Sequence, residues 1–118
     1  MATGILGSIE GTTTTYKTLY KPGTGKVAAI TISIQNRAAA TRTVRVALVQ
    51  DASSDPTPAD GDFILYDRTL QAAGDADGLD NIQITGFVVG KAGEDQVVVY
   101  PSGIDVDFLC SGVEENAA

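Results

Sequence analysis

The segment Ala28-Ala29-Ile30-Thr31-Ile32-Ser33-Ile34-Gln35 sets Ala28, Ile30, Ile32 and Ile34 against Ala29, Thr31, Ser33 and Gln35. Successive side chains of a strand point to opposite faces, so this alternation describes a β-strand with one face in a core and one turned outward. Beyond Asn36-Arg37-Ala38-Ala39-Ala40 the pattern returns, with Val44, Val46 and Leu48 inward and Thr43, Arg45 and Ala47 outward. The two strands are expected to pair as a hairpin. On the other side, Lys21-Pro22-Gly23-Thr24-Gly25-Lys26 reads as a turn, since proline fixes one dihedral and glycine accepts positive φ. The threonine-rich run from Thr12 to Tyr20 before it reads as an edge strand.

Further along, 50–62 is rich in aspartate, serine and proline and reads as a long surface loop. A strand opens at Phe63 and runs to Leu70; others are expected from Leu79 to Val88, Gln96 to Tyr100 and Ile104 to Cys110, which makes about seven. Helical spacing is almost absent. The expected fold is all-β, an antiparallel two-sheet β-sandwich, immunoglobulin-like or jelly-roll. Its expected core is Ile30, Ile32, Ile34, Val44, Val46, Leu48, Ile82, Ile84, Ile104, Val106 and Phe108, with Cys110 as a small buried apolar residue. The expected organisation is an N-terminal arm over 1–10, one sandwich domain over 11–113 and an acidic tail over 114–118.

Composition narrows the function. The chain has 118 residues, 43% of them apolar and 19% charged, the balance of a folding domain. Its net charge of −7 speaks against nucleic acid, which needs clustered basic side chains. Residues 1–50 carry six basic side chains against Glu10, or +5, whereas 51–118 carry two against fourteen carboxylates, or −12. Interleaved strands would neutralise this asymmetry locally; separate surfaces would let one copy attract another. No apolar run is long enough to cross a bilayer, and the start lacks the basic segment of a secretory leader, so the expectation is a protein made in the cytoplasm with no membrane partner.

Chemistry finds little purchase. Without histidine no Ser-His-Asp or Cys-His arrangement exists, and one cysteine makes neither a disulfide nor a zinc site, so no catalytic residue and no cofactor are expected. Asp105 and Asp107 are two apart and would share a strand face, where a solvated surface is the plain expectation. Gly23-Thr24-Gly25-Lys26 lacks the opening glycine and the following Ser or Thr of a phosphate-binding loop. Asp75, Asp77 and Asp80 form an oxygen-rich loop that is a weak calcium candidate, lacking a third ligand before the glycine and a closing glutamate. Asp51, Asp55, Asp60 and Asp62 read as loop surface in the same way. With no tryptophan and four tyrosines, a sugar platform lacks its usual material.

From Tyr20 to Glu114 a series of short motifs stands in order: Tyr20-Lys21-Pro22 leading to Gly25-Lys26, Asn36-Arg37, Val44-Arg45-Val46-Ala47, Pro58 and Asp62, Tyr66-Asp67, Thr85-Gly86, Gly93-Glu94 with Val97-Val98-Val99, and Gly112-Val113-Glu114. With the Met-Ala-Thr-Gly start, this order over about four-fifths of the chain resembles small all-β virion structural proteins of tailed bacteriophages, decoration, neck or tail-associated. The extra Gly23-Thr24 and the acidic tail depart from that pattern. The resemblance implies a non-enzymatic subunit repeated on a capsid, neck or tail, located in the virion, with no cofactor and with other virion proteins as partners. A homo-oligomer, taken as a trimer, is expected alongside, with Ile5, Leu6 and Ile9 of the arm docking on a neighbour. The alternative is a receptor- or glycan-binding sandwich module carried on the particle.

Overall fold

The computed structural model describes residues 2–11, 14–51, 53–74, 79–90 and 95–116. Eight strands make the fold: β1 (Ala2–Gly11), β2 (Lys17–Tyr20), β3 (Lys26–Asn36), β4 (Arg42–Gln50), β5 (Phe63–Leu70), β6 (Asn81–Val89), β7 (Asp95–Pro101) and β8 (Val106–Asn116). A 3-10 turn, Asp60–Asp62, precedes β5. One sheet has the order β1-β8-β3-β6 and the other β2-β7-β4-β5. Every pair is antiparallel, and first pairs with last in nested fashion: β1 with β8, β2 with β7, β3 with β6 and β4 with β5. An immunoglobulin-like sandwich would join more neighbours in sequence; this nesting, an eight-strand ribbon rolled on itself, is the jelly roll.

The rolling corrects the expected hairpin. β3 and β4 lie in different sheets, because the intervening turn carries the chain across the sandwich. Asn36, fully buried, pins that crossing: its Nδ2 donates to the carbonyls of Ala40 (3.0 Å) and Gln71 (2.9 Å), and its Oδ1 accepts from Ala38 N (2.9 Å). A buried amide is tolerated only when paired in this way.

Between the sheets lie Ile30, Ile32, Ile34, Val44, Val46, Val97, Val99, Val106, Phe108 and Cys110, with Leu48, Ile82 and Ile84 half-buried at the margin. Ile104 departs from expectation: it is 54% exposed. The strand starts later, at Val106, after a bend in which Asp105 takes φ +65°, so the inward-outward count does not extend back to Ile104.

The organisation into arm, domain and tail is corrected as well. Ala2–Gly11 is the edge strand β1, paired with β8 from Ala2 opposite Glu114 to Gly11 opposite Val106. Within it Ile9 and Leu6 pack half-buried against the core, while Ile5 stands 70% exposed. The acidic tail contributes the end of β8 to Asn116, where Tyr20 Oη donates to Glu114 and Lys26 Nζ to Asn116 (2.5 Å). Pairing with β8 satisfies the backbone groups of β1 that face it, which a free arm forgoes.

Candidate functional site

The sheet β2-β7-β4-β5 carries an apolar, aromatic outer face. On β4 the residues facing away from the core are Arg45, Ala47 and Val49, and on β7 they are Gln96, Val98 and Tyr100. Ala47, Val49 and Val98 are nonetheless buried, covered by Tyr16 and Phe63. Gln96 anchors the loop after β4 over this face: its Nε2 donates to the carbonyls of Asp51 (2.5 Å) and Ser53 (2.7 Å), and Thr18 Oγ1 donates to its Oε1 (2.5 Å).

Arg45 is the centre of the face. A β-bulge sets Tyr66 and Asp67 together opposite it, since Val44 pairs with Arg68 and Val46 with Leu65. The bulge needs a left-handed residue, and Asp67 takes φ +50°, a conformation aspartate tolerates better than most. Arg45 Nε donates to Asp67 Oδ1 at 2.6 Å and Nη2 to Oδ2 at 3.3 Å, a two-point pairing. Its Nη1 donates to Tyr16 Oη at 2.8 Å, and its Cζ stands 4.3 Å from the ring centre of Tyr66 and 4.9 Å from that of Tyr100. The rings touch each other too: Tyr16 and Tyr100 at 4.7 Å, Phe63 and Tyr66 edge-on at 4.9 Å. Tyr66 is 60% exposed although it is held on both sides. The result is an interlocked patch of three tyrosines, a phenylalanine and a paired guanidinium, with tyrosine and arginine among the side chains that dominate binding energy at protein interfaces. Ordering before binding leaves less entropy to lose when a partner arrives.

The opposite outer face, on β1-β8-β3-β6, is polar. Ser8, Ser33, Gln35, Gln83 and Leu109 line an open concavity of about 710 Å³. At one end Arg37 gathers Asp107 (Nε–Oδ2 2.5 Å), Glu10 (3.1 Å) and Asp105 (3.8 Å). Asp105 and Asp107 do come together, but around a cation, and Asp105 lies before β8 instead of sharing its face. With Glu10 they form one ion-pair network around Arg37.

The other candidates are quickly placed. Asp75 and Asp77 lie outside the described residues; the Asp80 carboxylate accepts from Gly74 N (3.3 Å) and Asn81 Nδ2 (2.8 Å), which holds the turn. Cys110 is buried, and loss of solvent pushes its thiol up to about 11, away from nucleophilic use. The charge asymmetry of the two halves dissolves locally: Lys17–Asp55, Arg37–Asp107 and Arg45–Asp67 each join a basic residue of the first half to an acid of the second.

Among the described residues four carboxylates sit below their ordinary range. Asp51 is held there by the Ser53 amide, Asp55 by the Thr18 amide, Asp67 by Arg45 and Asp80 by the Gly74 amide. A depressed carboxylate favours the fold while ionised, so this contribution is complete above an unfolded value of about 4 and is lost as pH falls through the lower folded values. The melting temperature is therefore expected to fall once the pH drops below about 4, and Asp67→Asn to flatten part of that fall. An acid limb identical in the two proteins would remove Asp67 from the account.

The aromatic face escaped the sequence reading because Tyr16, Phe63, Tyr66 and Tyr100 meet only after β2, β7, β4 and β5 have paired. One signal was present: Tyr100 follows Val97-Val98-Val99 with the parity of Val98, so an inward Val97 and Val99 send it outward. A scan against protein-family models, a search of curated proteins and a search of solved structures each returned no match to the chain.

Proposed function

We propose that the chain is a non-enzymatic structural subunit of a tailed-bacteriophage virion, a decoration or cement protein or one attached to the neck or tail, made in the host cytoplasm and acting through protein–protein contacts. The observation that carries this reading is the Arg45 patch, whose aromatic and guanidinium composition suits adhesion and offers no group poised for chemistry. The jelly roll is compatible as an analogy, since viral capsid domains use it, though lectins and cupins do as well. In particles grown with Tyr66→Ala or Arg45→Ala, quantitative mass spectrometry of purified virions is expected to find about tenfold less of the protein, the effect of losing an anchor of about 1.5 kcal/mol. Circular dichroism of the soluble variants should match the parent. Parent protein absent from purified particles overturns the proposal.

A second reading, a glycan-binding module on the particle, is favoured by the concavity lined by Ser8, Ser33, Gln35 and Gln83, whose hydroxyls and amides suit sugar hydroxyls. Saturable binding on a glycan array that Gln83→Ala abolishes would establish it; a blank array dismisses it.

A further inference from the structure

We infer that copies of this chain join head to tail, the free edge of β1 in one copy pairing with the free edge of β6 in the next. This goes beyond the proposed function, because it assigns the self-contact to two particular strands and holds whether or not the protein is carried on a virion.

β1 and β6 are the two outer strands of one sheet, so each leaves a row of backbone donors and acceptors without a strand partner among the described residues. Proteins ordinarily blunt such rows with charge or proline. The other sheet follows that rule, with Lys17 on β2 and Asp67 and Arg68 on β5. β6 carries no charged residue and no proline from Asn81 to Val89, and β1 carries none from Ala2 to Ile9. A chain of net charge −7 repels its own copies, so self-contact is least opposed along these two edges, where Glu10 is the one charged residue. β1 is irregular at Gly4 and between Ile5 and Gly7, and β6 at Gly86 opposite the Ile30/Thr31 step, which leaves Gly7–Gly11 and Asn81–Thr85 as regular runs.

The two edges also differ in what they offer. Ile82 and Ile84 lie half-buried on the core side of β6, packed against the core. At the other edge Ile9, Val99, Pro101 and Phe108, together with Glu10 and Lys17, line a recess of about 200 Å³ between β1 and β2. Two unlike edges meeting make a heterologous contact. Direction agrees: in a sheet of four antiparallel strands the outer two run oppositely, so β6 beside the next copy's β1 continues the antiparallel ladder. Matching core side to core side sets Ile82 opposite Ile9 and Ile84 opposite Gly7, with Gln83 opposite Ser8 on the outer face. The alternative slip of two residues sets Thr85 opposite Ser8.

Cysteine cross-linking tests this with the full chain, using Ser8→Cys, Gln83→Cys and Thr85→Cys. All three positions face outward, and native Cys110 is buried. Each single variant oxidised alone should stay uncross-linked. Mixing Ser8→Cys with Gln83→Cys or with Thr85→Cys should give a covalent dimer, and the matching double variant a ladder of multimers on a denaturing gel. Closure within one chain is excluded, since β1 and β6 stand three strand spacings apart, roughly 14 Å, beyond a disulfide's reach of about 7 Å. A dimer from any single variant alone would mean like-to-like pairing and overturn the inference, as would no covalent species in either mixture at concentrations where light scattering records an oligomer or where it records only monomer. Neither failure touches the particle-content test of the proposed function.

Discussion

Ile32→Asp is expected to unfold the domain or leave it barely stable. Ile32 is completely buried, with Ile84 of β6 on one side and Cys110 of β8 on the other. A carboxylate there meets no cation and no hydrogen-bond donor aimed at it, and it also loses the packing of the isoleucine. The combined cost is about 5 kcal/mol, as large as the whole stability of many domains. One residue earlier, Thr31 faces outward and is only half-buried, so Thr31→Asp should cost about 1 kcal/mol or less. Urea denaturation of the two variants checks the contrast. Equal losses would mean that the alternation on β3 does not separate core from surface.

The second large effect concerns β1. A Cβ built on Gly7 would stand 2.2 Å from the carbonyl oxygen of Leu19, where the first sheet passes over β2. Backbone is the obstacle, so the clash cannot be relieved by turning a side chain, and Gly7→Ala is expected to cost about 3 kcal/mol. Deleting residues 2–9 removes the partner of β8 along most of its length and exposes Phe108 and Cys110 of the core. That truncation should lower the melting temperature by more than Gly7→Ala does, or prevent folding. A truncated protein that melts like the parent would mean that the segment is dispensable to its own domain and acts only on a neighbour, as the sequence alone suggested.

β1 lacks the alternation that marks a strand. Its three large apolar residues, Ile5, Leu6 and Ile9, do not alternate, because the bulge between Ile5 and Gly7 shifts the count and Gly4 takes φ +95°. Where no bulge intervened, as on β3 and over Val106, Phe108 and Cys110, alternation alone identified the buried face. Pairing was another matter. Neighbouring strands in sequence were assigned to one hairpin, whereas in a rolled ribbon only β4 and β5 are neighbours in both senses. The Arg45 patch was hidden for both reasons: it spans four strands, and the bulge at Tyr66 and Asp67 breaks the two-residue rhythm that would have announced it.

The nested pairing has a consequence for how the chain comes into being. During synthesis β1 leaves the ribosome first, yet the strand it pairs with, β8, is the last of the eight. Only β4 and β5 are joined by a local connection; every other pair must close a long loop, and closing long loops is what makes folding slow. For that interval a strand with three large aliphatic side chains and Glu10 as its one charge waits without its partner, in a crowded cell where other copies are in the same condition. The glycines of β1 bear on that interval as well: Gly4, Gly7 and Gly11 lower its intrinsic strand propensity, which lessens its tendency to pair before β8 is made.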